Sequence, residues 1–413
     1  MMPRVVVTGL SAVTPIGKDL EQSWKNLLEG KSGVDRLARF DCTGYASQIA
    51  AEIKDFDPVH YMHPKEARRM DRFCHLAVAA SRMLIQDAGI SPENMDMDLC
   101  GVILGCGLGG LETIEEFHSK LLKSGPRRVS PFYIPMLIAN MAAGQVSIMT
   151  GTKGPNLVTT SACASGLHAI GYAYSDIKLG RTRAMITGGV ESTITPMAVS
   201  GFSAMKALST RNDAPQQASR PFDRDRDGFV IGEGSGLLLL EDLESARERG
   251  ATIYAEVTGF GASGDAYHIT APDESGQGMA LAMKQAIREA KTTPEQIDHI
   301  NAHGTSTSLN DLTETKAIKE VFGRHAYDIL LTANKSMIGH TLGAAGGIEG
   351  VFSVKSLYHG HIPGTVNLDN QDPECDLDYC GRGSIKRNIN YALCNSFGFG
   401  GTNCCILFKK FEE

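Results

Sequence analysis

Thr159-Thr160-Ser161-Ala162-Cys163-Ala164-Ser165-Gly166 sets one cysteine among small residues, after the apolar pair Leu157-Val158 and before a helical pattern. Leu167, Ile170, Tyr174 and Ile177 follow at i, i+3, i+7 and i+10, the spacing of one buried helix face. The segment reads as strand, tight turn and helix, the building unit of an α/β protein. Cys163 falls at the turn, where free backbone N–H groups and the helix dipole favour a thiolate. A lone cysteine is more often a small buried hydrophobe. Here nothing beside it is bulky enough to bar a substrate, so the presence of proton-handling partners elsewhere decides the reading.

Outward from this unit, short apolar runs at Val5–Val7, Val102–Leu104, Ala184–Ile186 and Leu237–Leu240 alternate with helical patterns, which predicts buried strands. The 45 glycines are dispersed, as tight turns require, and no low-complexity tract appears. One internal echo stands out. Val7-Thr8-Gly9-Leu10-Ser11-Ala12 resembles Val257-Thr258-Gly259-Phe260-Gly261-Ala262, each after a strand-like run. It proposes a division near residue 250, after Arg247-Glu248-Arg249-Gly250, into halves 1–250 and 251–413 that open with the same kind of strand.

At 413 residues, 42% hydrophobic and 21% charged, the chain has ample material for the core of a soluble protein. A net charge of −7 argues against general nucleic-acid binding. The absence of any apolar run of roughly 18 residues argues against a membrane span. Met1-Met2-Pro3-Arg4 leads at once into strand-like Val5-Val6-Val7, leaving no room for a signal peptide. The ten cysteines form no C-x-x-C pair and read as reduced thiols of a cytoplasmic protein, or of an organelle stroma or matrix after loss of a transit peptide.

Two histidine segments supply the candidate partners. Asn301-Ala302-His303-Gly304-Thr305-Ser306-Thr307 reads as a strand end turning into a polar loop, and Asn334-Lys335-Ser336-Met337-Ile338-Gly339-His340 precedes a small-residue run. The glycine beside each histidine is expected to keep its side chain accessible. Cysteine with two histidines can also bind zinc, but zinc prefers a closer pair or a third ligand, so no metal is expected.

Three further motifs are decoys or ambiguous. Gly105-Cys106-Gly107-Leu108-Gly109-Gly110 fits G-x-G-x-x-G, yet Gly125-Pro126-Arg127-Arg128 stands where a dinucleotide site needs an acid. Asp223-Arg224-Asp225-Arg226-Asp227-Gly228 imitates a calcium loop but carries Gly234 at the twelfth position, with strand-like Phe229-Val230-Ile231 following. It reads as a salt-bridged turn. Asn395-Ser396-Phe397-Gly398-Phe399-Gly400-Gly401-Thr402-Asn403 is either a tight turn between strands or a mobile wall beside an apolar ligand.

Taken together, Cys163 in T-x-S-A-C-A-S-G, His303 in NAHGTST, Lys335 and His340 in NKSMIGH, and the closing NSFGFGGTN resemble the β-ketoacyl-[acyl carrier protein] synthases. The resemblance runs essentially end to end, with the motifs in family order. Gly264–Thr270 and Ser130–Pro135 are most similar to the long-chain branch, synthase II, from which Ile338 departs where threonine is common.

That resemblance implies the thiolase fold, two related halves stacked as five α-β-α-β-α layers, and a homodimer. It implies that Cys163 takes an acyl chain from an acyl carrier protein, while His303 and His340 donate hydrogen bonds to the enolate left when malonyl-carrier loses carbon dioxide. Lys335 then orients the histidine region, and the N–H groups of Cys163 and Phe399 form an oxyanion hole for acyl transfer. Phe399 gates the pocket, Leu108, Phe202 and Phe229 line the acyl tunnel, and Thr305 and Thr307 bind the pantetheine arm. Gly105–Gly110 would pack its backbone against the acyl chain. No bound cofactor is implied, because 4'-phosphopantetheine arrives on the carrier. The acidic carrier would dock on Lys65, Arg68 and Arg69, with Arg127, Arg128 and Lys206 as a second cluster. A polyketide ketosynthase shares all these motifs, a noncatalytic chain-length partner lacks the cysteine, and a coenzyme A thiolase pairs its histidines differently.

Overall fold

The computed structural model describes residues 2–381 and 383–413. Ten strands carry the fold: β1 (Val5–Val13), β2 (Cys100–Gly105), β3 (Asn156–Thr159), β4 (Ala184–Glu191), β5 (Gly234–Asp242), β6 (Ala255–Gly264), β7 (His299–Asn301), β8 (Leu330–Thr332), β9 (Tyr391–Gly398) and β10 (Thr402–Lys409). All four apolar runs read from the sequence lie in these strands.

Hydrogen bonding orders them β8-β7-β9-β10-β6-β1-β5-β4-β2-β3. Counted outward from the β1–β6 seam, the first five run β1-β5-β4-β2-β3 and the second five run β6-β10-β9-β7-β8. The order is the same, shifted by five. Directions repeat as well: the pairs nearest the seam, β1–β5 and β6–β10, are antiparallel, and the outermost, β2–β3 and β7–β8, are parallel. The Val7–Ala12 and Val257–Ala262 echo therefore marks equivalent first strands, which pair with each other through Val5–Val7 and Ala255–Val257.

Helices fill three of five layers, the two strand sets the other two. α1 (Arg72–Ala88) packs on the outer side of the first strand set, and α3 (Gln277–Glu289) with α4 (Ser308–Phe322) covers the second. Between the sets lie α2 (Ser165–Lys178) and α5 (Ala345–His359), which follow the equivalent strands β3 and β8. Burial on both faces explains why the strands read as continuous apolar runs rather than alternating ones. On β5, Leu238 and Leu240 enter the central core while Leu237 and Leu239 pack under α1. The helical stripe Leu167, Ile170, Tyr174 and Ile177 lies in that central core.

One expected strand differs. Phe229–Ile231 is extended but makes only isolated bridges, Leu208 to Phe229 and Ile231 to His340, because its neighbours are single loop residues rather than a ladder. No helix among the described residues is long and apolar enough to cross a membrane.

Candidate active site

The turns that leave the carboxyl ends of the parallel strands converge, as open α/β sheets favour for ligand sites. Cys163 follows β3, Cys106–Gly109 follow β2, His303 follows β7, Lys335 follows β8 and Phe399 follows β9. His340 is fixed by an extended segment: its N–H donates to the Val230 carbonyl at 2.7 Å, and its carbonyl accepts from Gly232 at 2.9 Å. A cavity of about 610 Å³ is lined by Cys163, His303, His340, Leu108, Phe202, Phe229, Thr305, Thr307 and Phe399. Every residue expected to touch substrate meets there, and Lys335 lies directly behind them.

His340 Nε2 is 3.0 Å from Cys163 Sγ, while its Nδ1 faces the Leu342 N–H at 3.3 Å. Nδ1 is therefore the acceptor, and the ring proton sits on Nε2, toward the sulfur. His303 is held the same way. Lys335 Nζ lies 3.3 Å from its Nδ1 and 2.6 Å from its carbonyl oxygen, and pairs on its other side with Glu349 of α5. The two imidazoles stand nearly perpendicular, 5.4 Å apart between ring centroids.

Both rings are buried, contrary to the accessibility expected from their glycine neighbours. Gly304 and Gly339 serve the backbone instead: both hold positive φ, where a Cβ would strike Ala333 or Ala51. Burial, reinforced by the charge of Lys335, pushes both imidazoles well below their usual range, so they act as neutral donors. The thiolate expected at a helix start is also corrected. α2 begins only at Ser165, and burial pushes the Cys163 thiol up to about 11, against the pull of Lys335 and the Phe399 N–H.

Cys163, His303 and His340 place one donor atom each within 4.8 Å of one another, close enough in principle for a metal ion. The ammonium of Lys335 beside this trio, with two ring protons directed by their partners, makes the chemistry of the site that of an anion receptor.

The glycine loop after β2 does not pack on the cavity as a whole. A Cβ at Gly105 would meet the α2 backbone at Ser165 and Gly166, and those at Gly109 and Gly110 would meet Met136, Leu137 and Ala139. Only Gly107 and Leu108 reach the cavity. The Asp223–Gly228 turn is salt-bridged as expected, with Arg220 on Asp223 and Arg226 on Asp372. Asn395–Asn403 is a tight hairpin joining β9 to β10, and Phe399 in it lines the cavity.

Lys65, Arg68, Arg69, Arg127, Arg128 and Lys206 are all exposed. Arg69 stacks on Phe132 at 4.6 Å, which brings the first cluster against the segment following Arg127 and Arg128. Lys206 stands on the cavity rim. Sequence reasoning passed over three buried carboxylates, Glu191, Glu314 and Glu349. The readable signal was an acid closing or interrupting an apolar run, as in Ile186-Thr187-Gly188-Gly189-Val190-Glu191 and Gly346-Gly347-Ile348-Glu349.

A duplicated thiolase-type fold with a Cys-His-His centre defines a condensing enzyme. The β-ketoacyl synthase N-terminal domain matches residues 2–246 and its C-terminal domain residues 254–369, and the chain belongs to the beta-ketoacyl synthase family. It is 51% identical over 409 residues to the 3-oxoacyl-[acyl-carrier-protein] synthase 2 of Synechocystis sp., covering 99% of this chain and 98% of that one. A beta-ketoacyl synthase structure from Burkholderia phymatum STM815 is 36% identical with a TM-score of 0.93, each chain fully covered. A type II polyketide ketosynthase, solved in complex with its acyl-carrier protein and bound to the hexaketide, is 32% identical with a TM-score of 0.91, again over the full length of both.

Proposed function

We propose that the chain is a 3-oxoacyl-[acyl-carrier-protein] synthase of fatty acid elongation, with Cys163 as nucleophile. The observation that carries this is the convergence of one thiol and two neutral, Nε2-protonated imidazoles on a cavity with apolar walls. Cys163 Sγ attacks the acyl-carrier thioester, and the N–H groups of Cys163 and Phe399 receive the tetrahedral oxyanion. The carrier leaves as a thiol, taking the proton that Cys163 gives up. Malonyl-carrier then loses carbon dioxide, and His303 and His340 donate to the enolate oxygen. The enolate carbon attacks the acyl-cysteine, releasing the Cys163 thiolate and a 3-oxoacyl product two carbons longer. Lys335 orients His303, and Thr305 with Thr307 holds the pantetheine arm, whose thiol arrives on the carrier, so the chain needs no cofactor of its own.

An acidic carrier protein docks on the two exposed arginine-lysine clusters, one of which reaches the cavity rim through Lys206. The protein acts as a cytoplasmic homodimer, each chain divided at residue 250. The higher identity to the 3-oxoacyl-[acyl-carrier-protein] synthase 2 relative than to the polyketide ketosynthase, 51% against 32%, supports elongation over polyketide assembly. The test uses purified carriers. Saturated primers should be extended once, and an electrophilic acyl probe should label Cys163 alone; label at another cysteine, or repeated condensation of malonyl units, would sink the reading. Cys163→Gln should still release carbon dioxide from malonyl-carrier, whereas His303→Ala or His340→Ala should lose that release by roughly 100-fold.

A further inference from the structure

Glu191 closes β4 and is completely buried. Its Oε2 accepts the N–H of Gly107 at 2.7 Å and of Gly343 at 3.2 Å, and both its oxygens face the Leu108 N–H at 3.3 Å. Oε1 also takes the Gly109 N–H at 3.3 Å and the Cys106 thiol at 3.5 Å. These partners are all neutral donors. Holding a carboxylate in such a place is costly, and burial raises its pKa to about 7. The backbone is shaped around it: a Cβ on either Gly107 or Gly343 would lie 2.7 Å from Oε2.

The two segments it joins lie backbone to backbone, a Cβ on Gly343 falling 2.3 Å from the Gly107 nitrogen, and both border the cavity. Gly107–Gly109 frames Leu108, a wall of the acyl pocket. Gly343 follows Leu342, which lines the same cavity, holds a left-handed φ of 49° and presents its N–H to His340 Nδ1. The second half uses the same device. Glu314 of α4 accepts the N–H groups of His303 at 2.8 Å and Gly304 at 2.9 Å, after β7, where the first half has Gly107 and Leu108 after β2. In each half a buried carboxylate holds the turn that carries function.

Resting on the condensing-enzyme reading above, we propose that Glu191 is a positioning residue for chain-length selection. It locks the Leu108 wall and the turn behind His340 into one unit, so that the length of the bound acyl chain sets the geometry of the malonyl histidine. Glu191→Gln keeps the volume but turns one oxygen into an NH2 that faces N–H donors. Condensation is then measured with saturated primers of graded length on the carrier. The expected result is at least a tenfold fall in kcat/KM for the longest primers, with less than a threefold change for the shortest. A uniform loss across all lengths, as a purely structural role would give, or no loss at all, overturns the proposal. Amide hydrogen exchange on the wild-type protein keeps the test open if the variant does not fold. Loading Cys163 with a long rather than a short acyl group should change protection at Gly107–Gly109 and Gly343 together, and a change at the first alone is the contrary outcome. Wild-type protein that condenses no primer would instead defeat the condensing-enzyme reading.

Discussion

Cys163 is a buried thiol whose ionisation is resisted by desolvation and helped by Lys335 and by the Phe399 N–H. Its thiolate fraction should therefore climb about tenfold per pH unit through the neutral range, since the thiol sits near 11. Alkylation of Cys163 by a small reagent is expected to rise from pH 6 to pH 9 without levelling; a plateau below pH 8 would contradict the burial argument. Lys335→Met removes the charge that lowers the thiol and should slow alkylation further at every pH in that range. At this scale the candidate thiol and both histidines that share its cavity were legible, because each sits in a short motif of small residues and glycine. Their protonation states were not. Those depend on Lys335, Glu349 and Leu342, which reach the rings only through the fold.

The elements that bring these residues together are packed through glycine. A Cβ on Gly347 of α5 would lie 2.2 Å from the Gly189 nitrogen and 2.4 Å from the Gly236 oxygen, both strand backbone that cannot yield. Gly347→Ala should destabilise the protein by at least about 2 kcal/mol in urea unfolding. Gly201, in the helix Pro196–Ala204, has open space around its Cβ position, so Gly201→Ala should instead stabilise by about 0.5 kcal/mol. Equal effects at the two sites would show that contact distance is the wrong criterion. Strand existence was readable from the apolar runs, because both sheet faces are buried. The Gly343–Gly347 run could be read only as small. What it must clear, namely Gly107, Glu191, Gly189 and Gly236, lies on strands and loops more than a hundred residues away in the chain. Within Gly105–Gly110, it was Gly105, Gly109 and Gly110 that were read against the wrong neighbour, for the same reason.

Across the whole molecule, the net charge of −7 coexists with two exposed basic clusters, of which Lys206 alone lines the cavity. If these dock an acidic carrier, replacing Lys65, Arg68 and Arg69 together by alanine should raise KM for acyl-carrier about tenfold at low salt and leave kcat within about twofold, the difference shrinking as salt screens exposed charge. An unchanged KM at low ionic strength would move docking elsewhere. The duplication belongs to this scale too. Six residues of echo hinted at it, and the repeated strand order and directions establish it. By itself the sequence determined the α/β class, the buried strands, the cysteine turn and the two histidine loops, because each depends on residues near one another along the chain. Only the tertiary structure decided that the histidines are neutral donors, that the thiol resists ionisation and that Glu191 ties two loops together. Burial and charge at those atoms come from segments far apart in sequence, which meet only when the two halves close on each other.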